Sequence, residues 1–180
     1  EQATLRVGFI AGAALELTSH IFSEFTNRHP DAGMELHEFG LVDPSAGLAA
    51  GTTDVAFIRL PSSTQDLVTL PLFTEPCVVG VSTSHHLGRR DVVRIVDLLD
   101  QPLAIGHTDD AVWRDFWTLA AYRSPGSRTR LVETASQGEE MEVVAAGMAC
   151  NVTPPRLAAT PPTPASGSSP SRTVRSPPWR

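Results

Sequence analysis

Lysine is absent from this sequence, and cysteine and tyrosine are scarce. All 14 basic residues are arginines, and the 20 acidic residues leave a net charge of −6. This charge makes the chain on its own a poor partner for the phosphate backbone of DNA. No apolar run approaches the ~20 residues that a membrane span needs, so we expect no membrane partner.

The only two cysteines, Cys77 and Cys150, are too few for a disulfide framework. A zinc site is excluded as well, because it takes about four ligands at close spacing. We therefore expect buried, reduced thiols in a cytoplasmic protein that holds no metal and no cofactor.

The first ten residues, EQATLRVGFI, contain neither an initiator methionine nor a basic segment before an apolar stretch. They do not match a signal peptide, and we expect the chain to be a piece of a longer protein. Its 180 residues are enough for one core or for two small lobes.

Strand and helix patterns alternate along the first half of the chain. Apolar residues at Leu17, Ile21, Phe22 and Phe25 predict an amphipathic helix that Pro30 stops. Asp43 as an N-cap predicts a short helix over 43–51. Strands are predicted over 4–10, 34–40 and 54–60. Together these elements predict a parallel βαβαβ unit with right-handed crossovers.

The second half repeats this alternation. The predicted strands are 76–82, 102–107, 130–134 and 148–154, and the predicted helices are 94–101, 109–123 and 137–147. The pattern indicates a first lobe over 1–75, a second over 76–150, and a return crossover into the first lobe over 151–157.

The stretch LFTEPCVVGVSTSHHL, residues 72–87, carries a proline inside an apolar strand pattern. Proline cannot donate to a β-ladder, so it belongs where a strand reaches an edge or changes partners. We therefore place the junction of the lobes at Thr74-Glu75-Pro76. The predicted hinge residues are Glu75, Pro76, Asn151 and Val152.

Six segments, in order, resemble the effector-binding domain of LysR-type transcriptional regulators over residues 4 to about 157. They are LRVGFIAGAA, FTNRHPDAGMELHE, LAAGTTDVAFIRLP, LFTEPCVVGVSTSHHL, DLLDQPLAIG and VVAAGMACNVTP. The resemblance implies an α/β fold of two Rossmann-like lobes, type II periplasmic-binding-protein-like, joined by two crossover strands.

The same resemblance implies a ligand-sensing function rather than an enzyme. A small-molecule effector, expected to be anionic, would bind in the cleft between the lobes. The domain would form a homodimer or tetramer, and DNA would be bound only through an N-terminal helix-turn-helix that is missing from this chain. Closure about the crossover strands would pass the signal on.

Residues at strand ends are the candidates for ligand contact, because ligands of open α/β sheets lie outside the carboxyl ends of the strands. The loop at Ala11, Gly12 and Ala13 would offer backbone N–H groups, and Arg59 would pair with a carboxylate. The predicted ligand-binding residues are Ala11, Gly12, Ala13, Arg59, Thr74, Gly106, His107, Thr134, Ser136 and Thr153.

Simpler roles are open for several of these residues. Arg59 could be a surface arginine in an ion pair with a neighbouring acid. The hydroxyls of Thr134 and Ser136 could be helix N-caps, and His107 could be a partly exposed loop histidine. If the two crossover strands pair antiparallel, Cys77 and Cys150 could be neighbours and form a redox-sensing disulfide.

Two other classes of protein remain as alternatives. One is a solute-binding protein of the same fold, and the other is an enzyme on a Rossmann-like scaffold. The sequence has no G-x-G-x-x-G, no Walker A pattern, no G-x-S-x-G and no H-E-x-x-H, which disfavours the enzyme.

The tail over 158–180 holds six prolines, five serines and no acid, a composition that predicts disorder. A frameshift is the other explanation. Codons can be chosen for ASGSSPSRTVRSPPW, residues 165–179, so that the frame starting at their third base encodes IRFVPVEDGPLAAV. That reading resembles the strand with which the family continues.

We therefore predict that the genomic DNA encodes this strand in another frame, with the native frame lost near residues 157–160. Sequencing the gene with its flanks is the test. If no other frame encodes such a strand, the Pro/Ser-rich tail is native.

Overall fold

A three-stranded parallel sheet organises the first part of the chain. Its strands are β1 (Thr4–Ile10), β2 (Gly33–Phe39) and β3 (Val55–Phe57). The spatial order is β2-β1-β3, with both pairs parallel. Helix α1 (Leu17–Arg28) connects β1 to β2. The predicted parallel sheet with a helical first crossover is confirmed.

The computed structural model describes residues 3–10, 12–14, 17–127, 130–155 and 171–175. These residues fall into two units. The first unit contains the chain up to Leu70 and the segment Thr108–Trp113, and the second contains Pro71–His107 and the chain from Arg114 onward. The predicted lobe boundary at 75/76 differs, and the prediction did not assign 108–113 to the first unit.

The segment predicted as a helix over 43–51 is a series of turns instead. The Asp43 carboxylate accepts hydrogen bonds from the backbone N–H of Ser45 (3.0 Å) and of Gly47 (2.8 Å). Ala46 and Gly47 then take positive φ angles of 50° and 85°, which a right-handed helix cannot contain. Asp43 therefore caps a turn, and the helix prediction was wrong.

The core of the first unit lies between the sheet and these turns. Ile10, Ala13 and Ala46 are buried there, and partly buried side chains pack against them. Those side chains are Phe39, Leu41, Ala56, Phe57 and Ile58. Helix α1 has no fully buried residue, although its Phe22 ring lies 5.9 Å from the ring of Phe57.

The second unit contains two small sheets. In the first, β4 (Val78–Ser82) pairs antiparallel with β7 (Asn151–Thr153) on one side and with β8 (Ser171–Arg175) on the other. In the second, β5 (Leu103–Gly106) and β6 (Leu131–Thr134) are parallel. Helix α3 (Gln137–Ala145) follows β6, and helix α2 (Ala111–Trp117) follows β5, with its residues 111–113 in the first unit and the rest in the second.

Several predicted elements of the second half are shorter in the structure. Residues 76 and 77, the start of the predicted strand 76–82, precede the ladder, which begins at Val78. The predicted helix 94–101 is a 3₁₀ turn over Ile95–Asp97. The predicted helix 109–123 ends at Trp117, and Leu119 takes a φ of 60° before a 3₁₀ turn begins.

Part of the tail is ordered. Residues Ser171–Arg175 form β8 on one side of β4, with Val79 opposite Val174. The prediction of disorder over 158–180 is therefore wrong for these five residues. The rest of that segment lies outside the described residues, and the frameshift itself stays a prediction.

Gly8 generates a testable prediction, because β1 passes very close to the turn at Ala46. A Cβ on residue 8 would lie 2.1 Å from the carbonyl oxygen of Ala46, a main-chain atom held by the turn. We expect Gly8→Ala to lower the free energy of unfolding by about 1–3 kcal/mol, measured by urea denaturation. Gly40→Ala is the matched control, since a Cβ there meets no atom within 4 Å. Equal midpoints for the two variants would contradict the close approach.

Candidate functional site

The first unit brings Arg59 and the loop after β1 together. The guanidinium Nη2 of Arg59 donates to the backbone oxygen of Gly12 at 2.6 Å. Gly12 follows the carboxyl end of β1, and Arg59 follows the carboxyl end of the adjacent parallel strand β3. The contact therefore lies at the sheet edge where ligands of α/β folds bind.

Some backbone N–H groups of this loop already donate hydrogen bonds to nearby residues of the chain. The N–H of Ala13 donates to Ile10 (2.9 Å), and the N–H of Leu17 donates to Ala14 (3.1 Å). Ala13 is buried and shapes the loop, whereas Gly12 is exposed with a φ of 70°. Ala11, also predicted as a ligand residue, lies outside the described residues. Helix α1 begins directly after this loop, so its positive dipole end lies next to it.

Ser62 and Asp110 also lie in the first unit, and the sequence analysis did not identify either of them. The Ser62 hydroxyl is buried and has no hydrogen-bond partner among the described residues. Asp110 accepts hydrogen bonds from the backbone N–H (2.7 Å) and hydroxyl (3.0 Å) of Ser63, and from the N–H of Trp113 (3.0 Å). Asp110 therefore joins the segment after β3 to the start of α2.

The pKa of the Asp110 carboxyl reflects two opposing effects. Partial burial is the largest cause and raises this pKa, but the hydrogen bonds from Ser63, Trp113 and Val112 together outweigh it, and the net shift is downward. Asp110 stands before a helical pattern, which could have marked it as a cap. No local pattern could have paired it with Ser63, because the two are 47 residues apart.

In the second unit, the predicted hydroxyl residues have internal partners. Ser136 is the N-cap of α3 and accepts from the N–H of Glu139 at 3.2 Å. The Thr134 hydroxyl is buried and donates to the backbone oxygen of Ile105 at 3.3 Å. The N-cap alternative is thus confirmed for Ser136, while Thr134 ties β6 to β5.

His107 follows the buried Gly106 at the end of β5 and is exposed. Its Nδ1 lies 3.1 Å from a carboxylate oxygen of Glu133, and its backbone N–H donates to Thr134. The description as an exposed loop histidine therefore fits, with Glu133 as its partner.

The remaining predicted residues differ in exposure. Thr74 and Pro76 are exposed, and Glu75 is half-buried. Asn151, Val152 and Thr153 are buried and form strand β7. The roles of these residues as ligand contacts or hinges stay predictions.

The register of β4 and β7 shows whether Cys77 and Cys150 can form a disulfide. Val78 lies opposite Thr153 and Gly80 opposite Asn151, so the position opposite Cys77 is residue 154. Cys150 is thus displaced from Cys77 by four residues along the strands, or about 13 Å. A disulfide needs Cα atoms within about 7 Å, so the predicted redox pair is wrong. Both thiols are buried, and burial raises the pKa of Cys150 to about 11.

The described residues contain no cluster of side chains suited to a metal ion. Within the same residues, none of the helices is long and apolar enough to cross a membrane.

Comparison with known proteins gives one consistent family. The family model of the LysR substrate binding domain matches residues 1–166. The transcriptional regulator TtuA of Agrobacterium vitis is 27% identical over 157 residues, covering 86% of this chain and 52% of TtuA. The chain thus spans about half the length of the curated relatives that it matches over most of its own length.

Solved structures agree on the fold. The effector binding domain of QuiR in complex with shikimate superimposes with a TM-score of 0.73 at 15% identity, covering all of this chain and 83% of that one. The BenM effector binding domain with benzoate gives a TM-score of 0.64 at 20% identity, covering 97% and 77%. The predicted fold class is therefore confirmed.

Thiol titration tests the register argument. We expect two titratable thiols per chain after denaturation, in samples pretreated with or without hydrogen peroxide and then freed of it, because the cysteines cannot reach each other. Loss of both thiols after mild peroxide in a monomeric chain, with an intact mass that shows a disulfide and no oxygen added to sulfur, would mean that the strands pair in another register.

Proposed function

Because the chain belongs to the LysR substrate binding domain family, we propose that it senses a small anionic effector for a transcriptional regulator. The chain spans about half of its relative TtuA, so DNA contact would come from another part of the full-length protein. Effector binding would favour one arrangement of the domain and so shift the state of the attached DNA-binding part.

A carboxylate is the effector chemistry that we favour. Shikimate and benzoate, the compounds bound by the neighbours QuiR and BenM, both carry one carboxylate on a six-membered ring. A planar guanidinium matches a carboxylate with two parallel N–H bonds, which a lysine ammonium cannot do. This chain has arginine as its only long basic residue.

The observation that carries the proposal is the contact between Arg59 and Gly12. It holds a guanidinium at the carboxyl edge of the parallel sheet, beside the start of α1. Guanidinium and helix dipole both favour a negative charge there. The buried Ser62 hydroxyl, three residues after Arg59, adds a donor of the kind that bound ligands satisfy.

The regulator is favoured over a solute-binding protein or an enzyme because the curated relatives TtuA and AlsR are transcriptional regulators. A cytoplasmic location and a homodimeric or tetrameric assembly belong to the same proposal. Size-exclusion chromatography with light scattering would measure the assembly.

We expect Arg59→Gln to weaken binding of benzoate and shikimate at least about tenfold, since a charge-assisted hydrogen bond contributes about 1.5–3 kcal/mol. Isothermal titration and the ligand-induced rise in melting temperature are the measurements. Arg28→Gln is the matched control: it removes the same charge from the same unit, at the far end of α1, where Arg28 pairs with Glu24 on the surface.

Two results would count against this proposal. Binding that is equal in the Arg59→Gln and Arg28→Gln variants would place the carboxylate elsewhere. Failure of a panel of small carboxylates to raise the melting temperature of the wild-type chain, while neutral or cationic metabolites do so, would overturn the effector class.

A further inference from the structure

A carboxyl and an amide form an isolated polar pair inside the second unit. Glu140 on α3 and Asn151 on β7 are 9% and 0% exposed. The amide Nδ2 of Asn151 donates to Oε1 of Glu140 at 2.6 Å. Polar groups this deeply buried need partners, so the pair links the helix to the strand.

Gly80 on β4 makes the room for this pair. It is the ladder partner of Asn151, and a Cβ there would lie 2.2 Å from the amide oxygen Oδ1 of Asn151. The same hypothetical Cβ on residue 80 would lie 3.6 Å from the side chain of Val144. Helix α3 and strands β4 and β7 therefore meet at the Asn151 amide.

The hydrogen bonds of the pair are incomplete while Glu140 is ionised. Asn151 Oδ1 is buried and has no partner among the described residues. A carboxylate only accepts, so it can satisfy the Nδ2 donor but not the Oδ1 acceptor. A protonated carboxyl carries an O–H that can donate to Oδ1 after a small side-chain rotation. One proton taken up from solvent thus supplies the missing donor.

We propose that Glu140 and Asn151 form a proton-binding pair, in which protonation of the carboxyl strengthens the attachment of α3 to β7 and deprotonation weakens it. The proposal does not depend on the identity of the effector. It gives the second unit a response to pH that is set by one buried carboxyl.

The direction of the pH effect follows from burial. Burial raises the pKa of Glu140 from 4.5 to about 7, partly offset by the Asn151 donor. A carboxyl with a raised pKa in the folded state binds its proton more tightly there than in the unfolded state. Its contribution to stability is therefore present at low pH and declines as pH rises from about 4.5 to about 7.

Other charged residues on the elements packed against Glu140 are few. Strands β4, β5 and β7 carry no ionisable side chain. Helix α3 carries the exposed Glu139 and Glu142, and β6 carries the exposed Glu133. Strand β8 carries Arg172 and Arg175, opposite Val81 and Val78. Burial is the largest cause of the Glu140 shift, and the Asn151 hydrogen bond opposes it.

Hydrogen exchange measured on the full 180-residue chain at pH 6 and pH 8, corrected for intrinsic exchange, tests the proposal. Pepsin peptides that cover β7 report the opening equilibrium. With pKa values of 4.5 and about 7 in the open and closed states, the opening constant should rise about tenfold between these two pH values. In Glu140→Gln, whose amide can donate and accept at any pH, this rise should disappear.

Glu142→Gln is the matched control, because it removes a carboxylate from the exposed face of the same helix and should keep the tenfold rise. Carbon-13 NMR titration of the glutamate carboxyls in the wild-type chain gives a second readout that needs no variant to fold. The proposal predicts one carboxyl with a midpoint near pH 7. A Glu140 midpoint below pH 5.5, or an unchanged pH response in Glu140→Gln, would overturn it.

Discussion

The antiparallel register of β4 and β7 is the constraint on which the second unit depends. It places the amide of Asn151 over Gly80, where only the absence of a Cβ leaves space. That placement directs the amide toward Glu140 on α3 and so ties a helix to the sheet. A shift of one residue would turn these side chains to the opposite face. The same register keeps Cys77 and Cys150 apart.

A comparable close approach organises the first unit. The backbone of β1 passes the Ala46 carbonyl so closely that residue 8 has to be glycine. The turn that presents this carbonyl is stabilised by Asp43, whose carboxylate accepts hydrogen bonds from the backbone N–H groups of Ser45 and Gly47. The connection from β2 to β3 therefore contains turns where a helix was predicted.

The sequence identified residues of the candidate site only where their place relative to a predicted strand was enough to mark them. Gly12 was identified because it follows the predicted strand 4–10, and Arg59 because it lies at the carboxyl end of the predicted strand 54–60. Parallel strands bring such residues to one edge of the sheet. Ser136 and Thr134 were predicted as ligand residues, but α3 and β5 use their hydroxyls. Ser62 was missed because its interest lies in the burial of its hydroxyl. Asp110 and Glu140 were missed because their hydrogen-bond partners, Ser63 and Asn151, are distant in sequence.

The sequence by itself determined the order of β1–β7 and α1–α3, because hydrophobic periodicity and turn residues are local signals along the chain. The family was recognised separately, from six segments that resemble it in order. Tertiary structure alone decided the register of β4 with β7, the turn at Asp43 and the pairing of Glu140 with Asn151. Each of these depends on which backbone or side-chain atoms come within a few ångströms of each other after folding. Period-2 patterns define the faces of a strand, whereas partner and register follow from packing of the whole unit.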